Sequence, residues 1–95
     1  MNPPIVMPIE PFLDLHAFAP RDIAAVVEEY IEVAWEKGFS EIRLIHGRGR
    51  GVQRAVVQRV LSGHRLVEDY WDAAESHLGA TVARLRRPSP HERLG

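Results

Sequence analysis

The chain has 95 residues, room for one domain and not two, and its 45% hydrophobic and 26% charged content is globular, which excludes collagen, coiled coil and wholesale disorder. It has no cysteine, which excludes disulfides, thiol catalysis and cysteine-ligated zinc, and fits a cytoplasmic location; no apolar run reaches the roughly 20 residues of a membrane span and no signal-peptide pattern is present. The net charge of -1 hides a segregation: residues 1–41 carry eight acids and two bases, residues 42–65 carry six arginines and no acid, and residues 66–95 carry five acids and four arginines.

Residues 1–11 contain Pro3, Pro4, Pro8 and Pro11 and read as an extended arm, because proline fixes φ and removes a donor. The domain is expected over residues 12–87, with 88–95 a disordered tail holding Pro88, Pro90 and a terminal glycine. Phe12 to His16 alternates apolar and polar residues and reads as a strand. Pro20 suits the first position of a helix. Ile23, Val26, Val27, Tyr30, Ile31, Ala34 and Trp35 then repeat at helical spacing, with Glu28, Glu29, Glu32 and Glu36 on the outer face and Gly38 as the stop. Glu41 to His46 reads as a second strand. The glycine-rich loop Gly47-Arg48-Gly49-Arg50-Gly51 follows. A second helix is expected from about Val52 to Leu61, with Val52, Ala55, Val56 and Val60 on its stripe. Arg65 to Trp71 and Ala80 to Arg86 read as the last two strands.

The order β-α-β-α-β-β predicts an α/β (α+β) two-layer sandwich: a mixed four-stranded sheet, its first two strands parallel and its last two antiparallel, with both helices on one face. Ligands gather at the C-terminal edge of such parallel strands.

Two constellations fall at that edge. Asp14 and His16 lie two apart on the first strand and would share a face. A carboxylate beside an imidazole fixes its tautomer and raises its basicity, which suits a general base or a metal site; a capping aspartate beside a plain surface histidine is the alternative. The second constellation is His46-Gly47-Arg48-Gly49-Arg50-Gly51 with Arg54. Its glycines allow close backbone approach, it feeds a helix N-terminus that attracts anions, and its arginines are bidentate phosphate donors. It lacks the Gly-Lys-Ser/Thr ending of a Walker A loop, so no nucleotide cofactor is expected; a tight βα turn is the alternative. Of Tyr70 and Trp71, alternation leaves one free to stack on a base. Trp35 reads as core. His64 and His77 read as surface residues, and Thr81 as a plain strand residue with a hydroxyl within possible reach of phosphate.

Leu13-Asp14-Leu15-His16, then Ile45-His46-Gly47-Arg48-Gly49-Arg50-Gly51, then Gly79-Ala80-Thr81-Val82-Ala83-Arg84-Leu85 together resemble the Smr (small MutS-related) domain family, over about residues 12–86. The resemblance implies a fold like the C-terminal domain of bacterial translation initiation factor three. It also implies nucleic-acid binding with nicking or endonuclease activity on DNA, RNA or both. By motif, Asp14 and His16 are the catalytic candidates and residues 46–51 hold the phosphate backbone. The chain departs from the family pattern at Ala17, where a glycine is usual, and in a closing loop without the usual glycine pair.

The first functional expectation is therefore a phosphodiesterase. Asp14 orients, His16 is base or acid, His46 complements it, and Gly47, Arg48, Gly49, Arg50, Gly51 and Arg54 hold phosphate. Two histidines with a 2′-OH nucleophile would act on RNA alone, whereas water held by Mg²⁺ or Mn²⁺ would serve either polymer. No set of metal ligands is assigned. The second expectation is a non-catalytic module holding a DNA or RNA backbone, and a third is an adaptor using the acidic face of the first helix. The expected partner is DNA or RNA, not a membrane, and the expected state a monomer.

Overall fold

The computed structural model describes residues 9–49, 51–74 and 79–87; most of the proline-rich arm, Arg50, His77 and the tail from Pro88 lie outside the described residues. The elements are β1 (Phe12–Asp14), α1 (Ile23–Glu36), β2 (Glu41–Ile45), α2 (Val52–Gly63), β3 (Val67–Asp72) and β4 (Ala80–Leu85). Two single-turn 3₁₀ helices, Leu15–Ala17 and Pro20–Asp22, connect β1 to α1. Pro20 thus opens a 3₁₀ turn that runs into α1 rather than α1 itself.

The strands form one mixed sheet in the order β1-β2-β4-β3. β1 is parallel to β2, and β4 runs antiparallel to both β2 and β3. This is the expected α+β arrangement. β4 is inserted beside β2, so its first residue meets β2's last, with Ile45 opposite Ala80.

Both helices cover one face. Ile42 and Leu44 of β2, Ala83 and Leu85 of β4 and Val67 of β3 share one core with Ile23, Val27, Tyr30, Ile31 and Ala34 of α1 and Val57 and Leu61 of α2. The α1 residues are those the 3.6-residue period singles out. Gly38 takes φ +92°, and Phe39 N–H closes back on the Ala34 carbonyl, which ends the helix and turns Phe39 onto the core.

The stripe of α2 agrees with expectation at Val56 and Val60, which pack against the core, and differs elsewhere. Val52 is 66% exposed and Ala55 is exposed, while Val57 and Leu61 are the buried pair. The first turn of α2 thus carries no buried side chain, and the helix is held to the core by its later residues. Each fully buried Val or Leu contributes roughly 1.5–3 kcal/mol, more than Ala55 can offer. β3 also starts later than Arg65, because His64 Nδ1 accepts from Leu66 N–H and the His64 carbonyl from Val67 N–H, which turns residues 64–67.

Candidate active site

Parallel pairing places the ends of β1 and β2 side by side, and the antiparallel entry of β4 brings residues 79–81 to the same edge. Residues 14–16, 46–49 and 79–81 therefore converge although they are far apart in the chain.

Asp14 and His16 do meet, but not by strand alternation. β1 stops at Asp14, and Leu15, fully buried, anchors a 3₁₀ turn that carries His16. Asp14 caps that turn: its Oδ1 accepts from His16 N–H at 2.9 Å and pairs with His16 Nδ1 at 2.6 Å. The backbone N–H, then the ring, holds the Asp14 carboxyl below its usual range. A carboxylate only accepts, so Nδ1 carries the proton and Nε2 presents its lone pair. That Nε2 abuts Gly47: a Cβ built there would lie 3.2 Å from it. The arrangement is a carboxylate-oriented imidazole, with 60% of its side chain exposed and its basic nitrogen against the glycine loop. No non-glycine residue among those described has positive φ, so Ala17 costs the turn no strain.

His46 occupies a different environment from the one expected. It is 7% exposed, and both ring nitrogens are engaged. Nδ1 lies 2.9 Å from the Gly47 carbonyl and Nε2 2.9 Å from Thr81 Oγ1. A carbonyl only accepts, so Nδ1 bears the proton and Nε2 accepts from the Thr81 hydroxyl. Thr81 Oγ1 in turn accepts from Gln58 Nε2 at 3.2 Å. His46 is a buried strut between the loop and β4, not a second free imidazole beside His16.

Gly47 and Gly51 take φ +93° and +81°, whereas Gly49 needs no positive φ. The Gly79 carbonyl accepts from His46 N–H at 3.1 Å and Gly47 N–H at 3.0 Å, clamping the loop to the start of β4. Gly51 caps α2 without a side-chain partner, so the first amides of a 12-residue helix face the loop. Arg48 is exposed at the rim of a cleft of about 330 Å³ shared with His16, Gly49 and Gln53. Arg50 lies outside the described residues.

Arg54 is not a free phosphate donor: it grips Asp72 through Nε at 2.8 Å and Nη2 at 2.7 Å. The guanidinium holds the Asp72 carboxyl below its usual range, and the carboxylate raises Arg54 in return. Among the described residues, the positive charge at the cleft therefore rests mainly on Arg48 and the helix amides. A larger cleft of about 590 Å³ between the helices brings Glu28, Glu32, Arg59 and Arg65 together in mixed sign, with one exposed Arg65–Glu32 pair at 3.3 Å.

No three His, Asp or Glu side chains converge as a metal cage among the described residues. Asp14 has one carboxylate oxygen outside its bonds to His16, and hard cations such as Mg²⁺ or Mn²⁺ commonly take one or two carboxylates with water and substrate phosphate. That donor set suits an ion arriving with substrate rather than one resident in the protein.

Sequence reasoning missed Thr81, Gln58 and Asp72 as parts of this site. Thr81 is fully buried rather than a plain strand residue. Arg54 and Gln58 are four apart on α2, the spacing that lets both reach Asp72. Tyr70 packs on the core and Trp71 is exposed, as alternation requires. Trp35 is half-buried against the core and its indole donates to the Arg86 carbonyl at 2.6 Å.

Fold and site together define an α+β domain whose sheet edge joins an aspartate-oriented histidine to a glycine-arginine loop at a helix N-terminus. The sequence profile of the Smr domain matches residues 13–86, and the chain belongs to that family. It is 40% identical over 79 residues to the endonuclease MutS2 of Pelotomaculum thermopropionicum, covering 81% of this chain and 10% of the relative. With the endonuclease MutS2 of Listeria welshimeri it shares 31% identity over 81 residues, 83% of this chain and again 10% of the relative. The chain thus spans about one tenth of these relatives. The crystal structure of the Smr domain of Thermus thermophilus MutS2 superposes with a TM-score of 0.73 at 31% identity, covering 80% of this chain and 98% of that one. YdaL, a stand-alone small MutS-related protein from Escherichia coli, superposes with a TM-score of 0.74 at 27% identity, covering 84% of this chain and 67% of that one. No helix among the described residues is long and apolar enough to cross a membrane.

Proposed function

We propose that this chain binds the backbone of DNA or RNA at the glycine-arginine edge and cleaves phosphodiester bonds there, as a nicking endonuclease. The observation that carries the reading is the Asp14–His16 pair, with Nε2 presented to the loop. His16 Nε2 takes the proton of the attacking oxygen as it bonds to phosphorus, the P–O bond to the leaving oxygen breaks and that oxygen takes a proton from solvent, Asp14 stabilises the imidazolium that forms, and Arg48 with the loop and helix amides neutralises charge on phosphorus-bound oxygen. A divalent ion held by Asp14 and substrate phosphate would supply an activated water and added charge neutralisation. With His46 bound on both nitrogens, an acid–base pair of histidines is not the mechanism favoured. Relatives named endonuclease MutS2 support the reaction class.

The test is cleavage of matched single- and double-stranded RNA and DNA with Mg²⁺, Mn²⁺ or EDTA, comparing wild type with His16→Ala and Arg48→Ala. His16→Ala should lose cleavage and keep binding, and Arg48→Ala should weaken binding with a shallower salt dependence. Cleavage intact in His16→Ala would overturn the assignment. One observation favours a second reading, a non-catalytic backbone-binding module: among the described residues a single imidazole with an open nitrogen, that of His16, stands at the edge. That reading predicts salt-sensitive binding with no cleavage of any substrate.

A further inference from the structure

The face of the sheet away from the helices carries a row of side chains in strict register. Phe12 pairs with Arg43, Arg43 with Val82 and Val82 with Trp71, one residue from each of the four strands. Phe12 is 49% and Trp71 36% exposed, while Val82 is 4% exposed and forms the floor between them. Both aromatics stand on the face away from the helices because Leu13 and Tyr70, their chain neighbours, pack into the core. Arg84 lies over the Trp71 ring, 5.2 Å from its centroid. Among the described residues neither Arg43 nor Arg84 forms an ion pair, although Glu41 and Asp69 lie opposite Arg84 in the next row.

We infer that this face is a stacking platform for the bases of single-stranded nucleic acid, continuous with the cleavage edge. The inference rests on the proposed function, which it deepens by naming the strand state of the substrate. Three inter-strand spacings of about 4.8 Å put Phe12 and Trp71 about 14 Å apart, close to four base steps at the roughly 3.4 Å rise of a stacked strand. Asp14 follows Phe12 by two residues on β1, so the row lies about 7 Å from the carboxylate that orients His16. Asp72, which holds Arg54, directly follows Trp71. A strand whose phosphate sits at the loop therefore has its neighbouring bases over this face.

The chemistry selects the occupant. Flat rings with an arginine stacked on one of them and a second arginine in the row between attract unpaired bases and their phosphates. A duplex keeps its base faces stacked internally and cannot offer them to Phe12 or Trp71. Stacking groups do not sense the 2′-hydroxyl, so ribo and deoxyribo strands of one sequence should bind alike at this face.

The test is fluorescence anisotropy of labelled dT12, rU12 and a 12-base-pair DNA duplex at several salt concentrations. It compares wild type, Phe12→Ala, Trp71→Ala and Trp71→Phe, with melting curves as the control for folding. Each alanine variant should weaken both single strands about tenfold, in line with base–aromatic stacking, and leave the duplex within twofold, and Trp71→Phe should retain most of the affinity. Should Trp71→Ala fail to fold, Phe12→Ala and quenching of tryptophan emission by dT12 in wild type decide the matter. Single-strand affinity unchanged in the alanine variants, or lost equally for the duplex, overturns the platform while leaving backbone binding at the loop intact. Absence of all binding overturns the proposed function with it. A wild type that sediments as a dimer, and alanine variants that sediment as monomers, would assign the row to a second copy of this chain instead.

Discussion

Replacing Thr81 by valine keeps the shape of a fully buried side chain and deletes only its hydroxyl. The structure assigns that hydroxyl two bonds, one donated to His46 Nε2 at 2.9 Å and one accepted from Gln58 at 3.2 Å. Gln58 keeps Asp72 as an acceptor at 3.1 Å, so its loss is small. His46, 7% exposed, keeps no partner at Nε2. Leaving a buried acceptor unsatisfied costs about 1–3 kcal/mol, and the added methyl returns less than about 1 kcal/mol. The net destabilisation is about 1–2 kcal/mol. That is a large share of the roughly 4–11 kcal/mol expected for a domain of about 75 residues. With a urea m-value near 1 kcal/mol/M, the midpoint of unfolding should fall by about 1–2 M. Thr81→Ser retains the hydroxyl and should be the milder change, losing one buried methyl at about 1 kcal/mol. Equilibrium urea unfolding of wild type and both variants measures this, with the His46 ring nitrogens followed by NMR to register the tautomer. The reasoning is refuted if valine is as stable as threonine while serine is worse, since burial and not the hydroxyl would then govern the site.

Three further outcomes follow from the same geometry. Gly79→Ala would drive a Cβ into the Gly47 carbonyl oxygen at φ +78°, so the variant should lose about 2–4 kcal/mol together with the loop clamp; an unchanged thermal midpoint would contradict it. Asp14→Asn should leave the melting temperature nearly unchanged at pH 7 yet abolish cleavage, because an amide can donate to His16 Nδ1 and favour the wrong tautomer; activity above a tenth of wild type would show that Asp14 does not orient the base. Tyr30 is pushed up to about 12, first by burial and then by Glu10, and its hydroxyl donates to the Glu10 carbonyl at 2.5 Å. A raised folded-state pKa means that the folded chain holds this proton more tightly, so stability present below about pH 10 should fall between pH 10 and 12, and Tyr30→Phe should flatten that stretch of the stability curve.

The local parts of the protein were legible because their causes are local. A 3.6-residue stripe from Ile23 to Trp35 can be buried only as a helix, and Gly38 must follow it. Glycines at 47 and 51 meet positive φ where an ordinary side chain would be strained. The Asp14–His16 pair was found through its two-residue spacing, but for the wrong reason. Alternation on a strand and a capped 3₁₀ turn both bring such residues together, and only the burial of Leu15 selects the turn.

What the chain alone determined, then, is the order of elements, the parallel β-α-β start, and the glycine-arginine loop ahead of a helix. Tertiary structure decided which charged and polar groups are free. Thr81 is 35 residues from His46 and meets it because β4 enters the sheet antiparallel beside β2. Asp72 is 18 residues from Arg54 and neutralises it because β3 and α2 share the covered face. No periodicity encodes such pairings, since they depend on sheet order, and sheet order is set by how the whole core closes. The same closure leaves Phe12, Arg43, Val82 and Trp71 in line on the face away from the helices, although their positions in the chain give no sign that they are neighbours.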